Sequence, residues 1–368
     1  MNNRPVSLSV FFPAYNEAHT IEKAVTKAIT AVKELVDTYE IIIVNDGSTD
    51  NTGTISDRLA EIHESVRVVH HEKNQGYGAA VWTGIQSAQH DYVFFTDADL
   101  QFDLSELALL LPFAEEYKAV LGYRAKRNDP LIRLINAKIW NIANRILFGL
   151  RVCDIDCAFK LLDRKLVAGL PLQTRGAMMS AEMLIHLQHR GVAFKEIPVT
   201  HFPRTQGTAT GAHPRVIARA VRDLVSLYRG QLGRVSRIQL IRFAAVGVLN
   251  TAIDIGLYFI LTRSSEFFAA HLLVAKAFSF GAGTLSSFFG NRAWTFNNVS
   301  RIRYGELVRF YLTVGIGMGI NIATLSACIS LFNIPDSIGV IIATAVTFVW
   351  NFVASKLWVY SGSKHGTL

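Results

Sequence analysis

The amino-acid sequence predicts an α/β domain with a mostly parallel sheet, then an amphipathic helix, then an all-α domain of four transmembrane helices. Two observations lead to this prediction. Short apolar runs alternate with helical segments up to about residue 123, which is typical of a parallel sheet covered by helices. After Arg242 the chain becomes a series of long apolar blocks, in a sequence that is 50% hydrophobic with a mean hydropathy of +0.27. We therefore divide the chain into residues 1–212, 213–238 and 239–368.

Five strands and four helices are predicted in the first part of the chain. The strands are short runs rich in β-branched and aromatic residues, at 8–12, 40–44, 66–70, 92–96 and 119–122. The helical segments cover 17–35, 52–63, 78–88 and 104–113. In an open sheet of this kind, ligands bind at the carboxyl ends of the strands.

Two carboxylates follow the fourth predicted strand directly. At strand spacing, Asp97, Asp99 and Gln101 project to one side. Three side chains that carry oxygen suit a hard divalent cation that keeps several waters and a substrate phosphate. An ordinary acidic turn with a helix cap would explain the same residues, so this triplet alone leaves both interpretations open.

Three further polar motifs follow predicted strands. They read Pro-Ala-Tyr-Asn-Glu at 13–17, Asn-Asp-Gly-Ser-Thr-Asp at 45–50, and Lys-Asn-Gln-Gly-Tyr-Gly-Ala-Ala at 73–80. The first could hold a base with a ring and a carboxylate, and the second could accept hydrogen bonds from a ribose or base. The third is rich in glycine before a helix, as a phosphate-binding loop would be. Each is also an acceptable turn with a helix cap.

Together, these four motifs resemble those of the family-two glycosyltransferases, over about residues 6–210. The resemblance implies a nucleotide-sugar-binding, Rossmann-like fold of the GT-A type. It implies that the nucleotide is bound by Pro13, Tyr15, Glu17, Asp46 and Asp97. It also implies that Asp97, Asp99 and Gln101 hold Mg²⁺ or Mn²⁺ against the diphosphate, with Asp99 in a catalytic role.

The second part of this domain looks like the polyprenyl-phosphate branch, the dolichol-phosphate mannose and glucose synthases. The segments that carry this resemblance are 122–124, 130–133, 154–160 and 201–208. By resemblance, Arg124 and Arg133 are catalytic and bind the acceptor phosphate, and Arg204 binds the donor diphosphate. Glu182 is a candidate general base. Any one of these arginines could instead be solvated or ion-paired.

Some positions depart from the family pattern. Ala158 stands where a glycine is usual, Ala137 where a serine is frequent, and Gly211 where a lysine is frequent. His213 or Arg215 could replace the missing charge. The Gln-x-x-Arg-Trp motif of processive synthases is absent from the sequence, which argues against a polymerising enzyme.

The net charge of +8 is concentrated beside the apolar blocks, at 215–242 and 292–309. This placement favours the anionic inner surface of a membrane over nucleic acid, for which the sequence carries no binding signature.

Three cysteines give neither a disulfide framework nor a zinc pattern. The first apolar run is too short for a signal peptide, so we expect the α/β domain to stay in the cytoplasm.

Four apolar blocks, at about 240–262, 267–290, 308–332 and 337–359, are long enough to span a bilayer. They look like a duplicated hairpin, in which Arg242-Phe243 and Asn250 recur as Arg309-Phe310 and Asn321. This half resembles the GtrA-like membrane family. The arginine-rich loop between the second and third blocks predicts a multi-pass protein of the plasma membrane with both termini in the cytoplasm.

Two features near the membrane leave alternatives open. The segment 215–228 has the pattern of an amphipathic helix on the inner membrane surface, although a helix packed on the soluble domain would look similar. Asp254 lies inside the first block, where a carboxylate is costly in lipid and therefore suggests a functional role. Pairing with Lys276 of the second block is the structural alternative.

The resemblance implies an inverting transfer of one hexose from GDP-mannose or UDP-glucose to a polyprenyl or dolichyl phosphate at the cytoplasmic membrane face. Membrane lipids are then natural partners, and a homo-oligomer is compatible with the sequence. An alternative is a flippase or transport component for lipid-linked sugars, whose soluble half only binds a ligand. A polysaccharide synthase is a further alternative.

Overall fold

The computed structural model describes residues 7–125, 131–203, 214–230, 234–298 and 301–360. The side chains of residues 131–133, 214–215 and 234 are outside this description. The chain forms two compact units, Met1–Leu232 and Gly233–Leu368.

The first unit is built on a seven-stranded sheet. Its strands are β1 (Ser7–Ala14), β2 (Thr38–Asn45), β3 (Val66–His70), β4 (Tyr92–Thr96), β5 (Ala119–Arg124), β6 (Phe159–Asp163) and β7 (Lys195–Val199). The strand order is β3-β2-β1-β4-β6-β5-β7. Only β6 runs antiparallel to its neighbours β4 and β5, so the prediction of a mostly parallel sheet is confirmed.

Helices connect and cover these strands. They span Ile21–Lys33, Thr52–Ile62, Tyr77–Ser87, Leu131–Phe148, Arg164–Ala168, Met179–His189 and Pro214–Arg229. The helix predicted at 104–113 is instead a succession of short helical turns, Leu104–Glu106, Leu107–Leu110 and Leu111–Phe113. Pro112 lies in the last of these turns, and proline lacks the N–H that a continuous helix needs.

The core lies on both faces of the sheet, because the central strands are covered by helices on each side. In β4, Phe94 belongs to one hydrophobic cluster, whereas Val93 and Phe95 belong to the other. The Phe95 ring stacks on Phe11 with centroids 5.2 Å apart, and Phe94 meets Phe159 edge to face at 4.7 Å. Burial on both faces explains the continuous apolar runs of these strands.

The second unit has four helices that are long and apolar enough to cross a membrane. They are Val235–Ser264, Leu272–Thr295, Tyr304–Ser330 and Asp336–Val359. The four predicted blocks are confirmed with shifted ends. The second span begins at Leu272 because residues before it form a separate short helix, Glu266–Ala270.

The predicted duplication is visible in matching contacts. Arg242 Nη1 donates a hydrogen bond to the carbonyl of Trp294 at 3.0 Å, and Arg309 Nη1 donates one to the carbonyl of Trp358 at 3.0 Å. The second and fourth spans each end in a π-helical turn. At the spacing that relates the two arginines, Asn321 corresponds to Asp254, so the predicted match of Asn321 to Asn250 includes a shift of four residues.

The helix Pro214–Arg229, which we call the basic helix, belongs to the first unit and has two apolar faces. Leu224 and Leu227 are buried in one hydrophobic cluster of the α/β core. Ile217, Val221 and Val225 are exposed at a spacing of four residues, which puts them on one face. The basic helix therefore packs on its own domain and still presents an open apolar stripe.

Candidate active site

The sheet topology brings the first two polar loops together. Strands β1 and β2 are parallel neighbours, so their carboxyl ends share one edge. Asn16 Oδ1 accepts a hydrogen bond from the Thr49 N–H at 2.8 Å, and Ser48 Oγ accepts one from the Asn16 N–H at 3.0 Å. Asn16 has a φ of 57°, in the left-handed region that asparagine tolerates. These bonds lock both loops into one rigid edge.

The predicted nucleotide-binding residues of the first loop differ in accessibility. Tyr15 is 42% exposed at the end of β1, whereas Pro13 is buried within that strand. Glu17 Oε2 accepts a hydrogen bond from Thr20 Oγ1 at 2.8 Å, and the Glu17 N–H donates to Thr52 Oγ1 at 2.8 Å. Tyr15 is therefore the side chain of this loop that is open to a ligand, and the nucleotide contacts of all three remain predictions.

Asp46 is buried and holds the glycine-rich loop. Its Oδ1 accepts a hydrogen bond from the Gln75 N–H at 2.8 Å, and its Oδ2 accepts one from the Gly76 N–H at 2.9 Å. His71 Nδ1 lies 2.7 Å from Asp46 Oδ1, and His71 Nε2 lies 2.9 Å from Thr83 Oγ1. The contact of Asp46 with a base or ribose stays a prediction. His71 was missed because nothing in its local sequence points to Asp46.

Glycines allow the loops of this edge to approach closely. Gly47 has a φ of +64°, and a Cβ there would lie 2.4 Å from the Lys73 carbonyl carbon. A Cβ on Gly78 would lie 2.6 Å from the Gly176 carbonyl oxygen. Since backbone cannot yield as a side chain does, both positions need glycine.

Glu182 supports the loop that packs against Gly78. Its carboxylate is fully buried and accepts hydrogen bonds from the Gln173 and Thr174 N–H groups at 2.8 Å each. The Thr174 hydroxyl adds a third at 2.6 Å. A carboxylate with these contacts acts in the fold rather than as the general base that the sequence suggested.

The segment after β4 is a turn. The strand ends at Thr96, and Leu100 has a φ of 61°. The prediction that strand alternation puts Asp97, Asp99 and Gln101 on one side is therefore wrong. Asp99 is buried, and its Oδ1 accepts a hydrogen bond from the Gln101 N–H at 3.1 Å.

The neighbours of this turn come from two other loops. Gln101 Nε2 donates a hydrogen bond to the Phe202 carbonyl at 3.0 Å, which leaves its amide oxygen as the atom that could bind a cation. Tyr77, at the start of the helix after the glycine-rich loop, lies close enough to Asp97 for that carboxylate to raise the pKa of Tyr77. The turn thus joins the glycine-rich loop to the segment around Phe202.

The donor set of this turn fits a Mg²⁺ or Mn²⁺ ion. Asp97 and Asp99 offer carboxylate oxygens, and Gln101 offers an amide oxygen. Within the described ranges, no three or more His, Cys, Asp or Glu side chains form a group that could hold a metal. A closed zinc site needs four protein ligands, whereas Mg²⁺ keeps several waters and binds through one or two carboxylates together with substrate phosphates.

Tyr77 and Asp156 lie near the carboxylates of this part of the domain, and both side chains are exposed to solvent. Local desolvation and the charges of Asp97 and Asp156 raise the pKa of Tyr77 well above its ordinary value. Local desolvation and the charge of Asp154 raise the pKa of Asp156 to about 6. Both shifts indicate that acidic groups lie close together beside the turn after β4.

Arg124, predicted to bind the acceptor phosphate, is held by Asp154. Its Nε lies 2.6 Å from Asp154 Oδ2 and its Nη2 lies 2.8 Å from Oδ1, a bidentate pair that is largely buried. Desolvation would lower the pKa of Arg124, but the Asp154 carboxylate outweighs it and the pKa is raised. A phosphate at Arg124 would therefore share the guanidinium with Asp154.

Several predicted residues lie outside the described part of the chain. The helix Leu131–Phe148 includes Arg133, whose side chain is not described. Arg204, Gly211 and His213 lie outside the described residues, and so does the side chain of Arg215. Their predicted phosphate contacts stay predictions.

Two family models match the chain. Glycosyl transferase family 2 matches residues 9–170, and the transmembrane domain called GtrA/DPMS matches residues 242–360. The first match covers the strands and loops that carry the candidate site. The second covers most of the four spans.

Among curated proteins, the glycosyltransferase AglD of Haloferax volcanii is 30% identical over 209 residues, which are 54% of this chain and 34% of that protein. The match thus spans only about a third of AglD. An undecaprenyl-phosphate 4-deoxy-4-formamido-L-arabinose transferase of Pseudomonas syringae is 29% identical over 77% of this chain and 85% of that protein. A dolichol-phosphate mannosyltransferase of Pyrococcus furiosus is 24% identical over 94% and 98%.

Among solved structures, glucosyl-3-phosphoglycerate synthase from Mycobacterium tuberculosis, in complex with Mn²⁺, UDP and glucosyl-3-phosphoglycerate, is 21% identical. The match covers 61% of this chain and 79% of that one, with a TM-score of 0.47. The family matches and the sheet topology together identify the chain. It combines a glycosyl transferase family 2 domain with a GtrA/DPMS transmembrane domain.

Proposed function

We propose that this glycosyltransferase moves one hexose from a nucleotide sugar to a polyprenyl phosphate, with inversion at the anomeric carbon. The observation that carries the proposal is the union, in one chain, of the loop-lined sheet edge and four membrane spans. A nucleotide sugar is soluble in water, whereas a polyprenyl phosphate has its tail in lipid. An enzyme that joins them needs both parts.

The relatives support a lipid-phosphate acceptor. Two of them are named for transfer to undecaprenyl phosphate and dolichol phosphate, and the match to the latter spans 98% of its length. Their named sugars differ, being a formamido-arabinose and mannose. Our candidate donors, GDP-mannose and UDP-glucose, come from the resemblance to the dolichol-phosphate mannose and glucose synthases.

Asp97 and Asp99 are the residues that we propose to hold Mg²⁺ or Mn²⁺, with the Gln101 amide oxygen beside them. When bound, the cation would stabilise negative charge on the leaving diphosphate. The chain's own groups keep this turn in place: the Gln101 backbone N–H donates to Asp99, and the Gln101 side-chain amide donates to the Phe202 carbonyl. Positioning of this kind is a large part of catalysis in transferases that need little covalent chemistry.

The acceptor needs positioning more than deprotonation. A phosphate monoester is largely anionic near pH 7, so its attacking oxygen needs no dedicated base. Glu182 cannot readily supply one, because its carboxylate is buried with three donors. Arg124, Arg133 and Arg204 are the cations that we propose for the acceptor phosphate and the donor diphosphate.

We propose that the site faces the cytoplasm. Contacts place the start of the first and third spans and the end of the second and fourth at one end of the bundle. That end carries Arg242, Arg292, Arg309 and Lys356, whereas the loop between the third and fourth spans is nearly uncharged. An excess of arginine and lysine marks the cytoplasmic side of a membrane protein.

Purified full-length protein in detergent provides the test. It is incubated with Mn²⁺, a short polyprenyl phosphate and radiolabelled GDP-mannose or UDP-glucose, and the organic phase is examined for an anionic lipid-linked monosaccharide. We expect one labelled product whose formation needs both substrates. No lipid-linked product with either donor would contradict the proposal.

A further inference from the structure

Asp156 lies in a short loop in which it is the exposed residue among buried ones. From Asp154 to Lys160, the side chains are buried except that of Asp156. A polar residue that protrudes from a buried segment is not needed for packing. It is presented to solvent and to any ligand that binds beside this loop.

The backbone on both sides of Asp156 is anchored. Lys160 is completely buried, and its ammonium group donates hydrogen bonds to the carbonyl of Ile155 at 3.1 Å and to that of Cys157. Asp154, two residues earlier, is bound by the guanidinium of Arg124. These anchors fix the backbone on each side of Asp156, which limits where its carboxylate can lie, as a binding residue requires.

The sheet brings Asp156 to the turn that follows β4. Strands β4 and β6 are antiparallel, and Thr96 pairs with Phe159. The residues just before Phe159 therefore lie beside the turn that begins at Asp97. The charges of Asp97 and Asp156 both act on Tyr77, so the two carboxylates lie near the same side chain.

The strand order indicates which part of a nucleotide sugar would reach Asp156. Along the sheet edge the order is β2, β1, β4 and β6. The loops proposed to hold the base follow β2 and β1, and the carboxylates proposed for the diphosphate follow β4. The loop that carries Asp156 precedes β6, on the far side of the diphosphate from the base, which is where the sugar extends.

We propose that Asp156 binds the hexose of the donor by accepting hydrogen bonds from its hydroxyl groups, and so helps to select the sugar. An ionised carboxylate is acceptor-only and suits hydroxyl donors. It would repel the acceptor phosphate, and it forms no described group with other potential metal ligands. The inference rests on the proposed function and assigns a residue that the family resemblance leaves without a role.

The test compares binding of a nucleotide with binding of its sugar derivative. Isothermal titration calorimetry with full-length protein and Mn²⁺ gives Kd for UDP and UDP-glucose, and for GDP and GDP-mannose. For the donor that the wild type binds, we expect Asp156→Asn and Asp156→Ala to weaken binding of the sugar nucleotide about tenfold or more, since hydrogen bonds to a charged group are stronger than those between neutral groups. Kd for the bare nucleotide should change less than about twofold.

Deoxy analogues make the test specific to hydroxyl contacts. In the wild type, removal of the hydroxyl that Asp156 binds should weaken the donor, and in Asp156→Ala the same removal should have little further effect, which is the coupling a double-mutant cycle measures. Glu64→Gln, which removes an exposed carboxylate elsewhere on the domain, is the matched control. Thermal unfolding checks that each variant is folded.

Two results would overturn the inference. One is an equal loss of affinity for the nucleotide and its sugar derivative, which would point to a general effect on the site. The other is an Asp156→Ala variant that still discriminates between the sugar nucleotide and its deoxy analogue as strongly as the wild type does. In either case, product formation by the wild type would leave the proposed function standing. If the wild type transfers no hexose, the proposed function fails first, and the role of Asp156 falls with it.

Discussion

His71 Nδ1 lies 2.7 Å from Asp46 Oδ1, and both side chains are almost completely buried. The same carboxylate accepts hydrogen bonds from the Gln75 and Gly76 N–H groups. Asp46 therefore joins the end of β2 to the glycine-rich loop, and His71 keeps the carboxylate in place through its second contact with Thr83.

We expect His71→Ala to weaken binding of the nucleoside diphosphate by about tenfold and to lower stability by about 1–3 kcal/mol, because a buried carboxylate loses a partner. Calorimetric titration with UDP or GDP and thermal unfolding measure the two effects. His63→Ala is the control, because His63 lies at the end of the helix Thr52–Ile62 that is remote from the loop after β2. Unchanged nucleotide affinity in His71→Ala would contradict the role of this contact.

Gly78→Ala tests the close packing of the glycine-rich loop. An added Cβ would lie 2.6 Å from the Gly176 carbonyl oxygen, so one of the two loops must move. Overpacking of this kind costs about 1–3 kcal/mol, and we expect a lower melting temperature together with weaker nucleotide binding. In the control Gly169→Ala, the added Cβ would lie 3.6 Å from the Lys165 carbonyl oxygen, which is an ordinary contact. This variant should therefore behave like the wild type. Equal behaviour of the two variants would argue against a tight loop contact.

Variants of the Arg124–Asp154 pair can distinguish a structural role of Arg124 from a role in substrate binding. Because the pair is buried, we expect either Arg124→Ala or Asp154→Asn to lower the free energy of unfolding by about 3 kcal/mol. Arg58→Ala, which breaks an exposed pair with Glu22, should cost at most about 1 kcal/mol.

If Arg124 also binds the acceptor phosphate, the two variants should differ in kinetics. Arg124→Ala should raise KM for the polyprenyl phosphate, whereas Asp154→Asn should not, since it leaves the guanidinium in the protein. Initial rates at varied acceptor concentration measure this difference. An identical KM in both variants would restrict Arg124 to a structural role.

Asp254 and Lys276 form an ion pair within the first two spans. Lys276 Nζ lies 2.6 Å from Asp254 Oδ2, and Ser279 Oγ donates a hydrogen bond to Asp254 Oδ1 at 2.6 Å. We expect Lys276→Met alone to destabilise the membrane domain, because it leaves a carboxylate unpaired in lipid, and the double variant Asp254→Leu with Lys276→Met to recover most of the loss. Thermal unfolding in detergent measures stability. A stable double variant that has lost hexose transfer would show that the pair serves more than structure.

Much of the fold follows from local patterns. Apolar runs such as 40–44 and 92–96 predicted strands because both faces of these strands are buried, and the four apolar blocks predicted the membrane spans. The helix at 104–113 was wrong because a proline interrupts a segment whose apolar pattern is otherwise helical. The second span was predicted to begin at residue 267, which is too early. The chain breaks at His271 between two helices, and hydropathy does not reveal that break.

The site was only partly predictable. The motifs located Asp97 and Asp99, but strand alternation failed because Leu100 adopts a left-handed conformation and turns the chain. The contact of His71 with Asp46 joins residues of two separate loops, which local periodicity cannot reveal. The presentation of Asp156 depends on the buried Lys160, whose unusual position is a property of tertiary packing.

The central claim is that the carboxylates after β4 hold a divalent cation for hexose transfer to a lipid phosphate. The most direct measurement is the initial rate of lipid-linked hexose formation by wild type, Asp99→Ala and the control Asp103→Asn, with Mn²⁺ and with EDTA. The half-buried Asp103 side chain caps the turn Leu104–Glu106, a role that asparagine also fills. We predict that Asp99→Ala lowers the rate at least about a hundredfold, that EDTA abolishes and Mn²⁺ restores the wild-type rate, and that Asp103→Asn remains active. Undiminished transfer by Asp99→Ala, or transfer in the presence of EDTA, would contradict the claim.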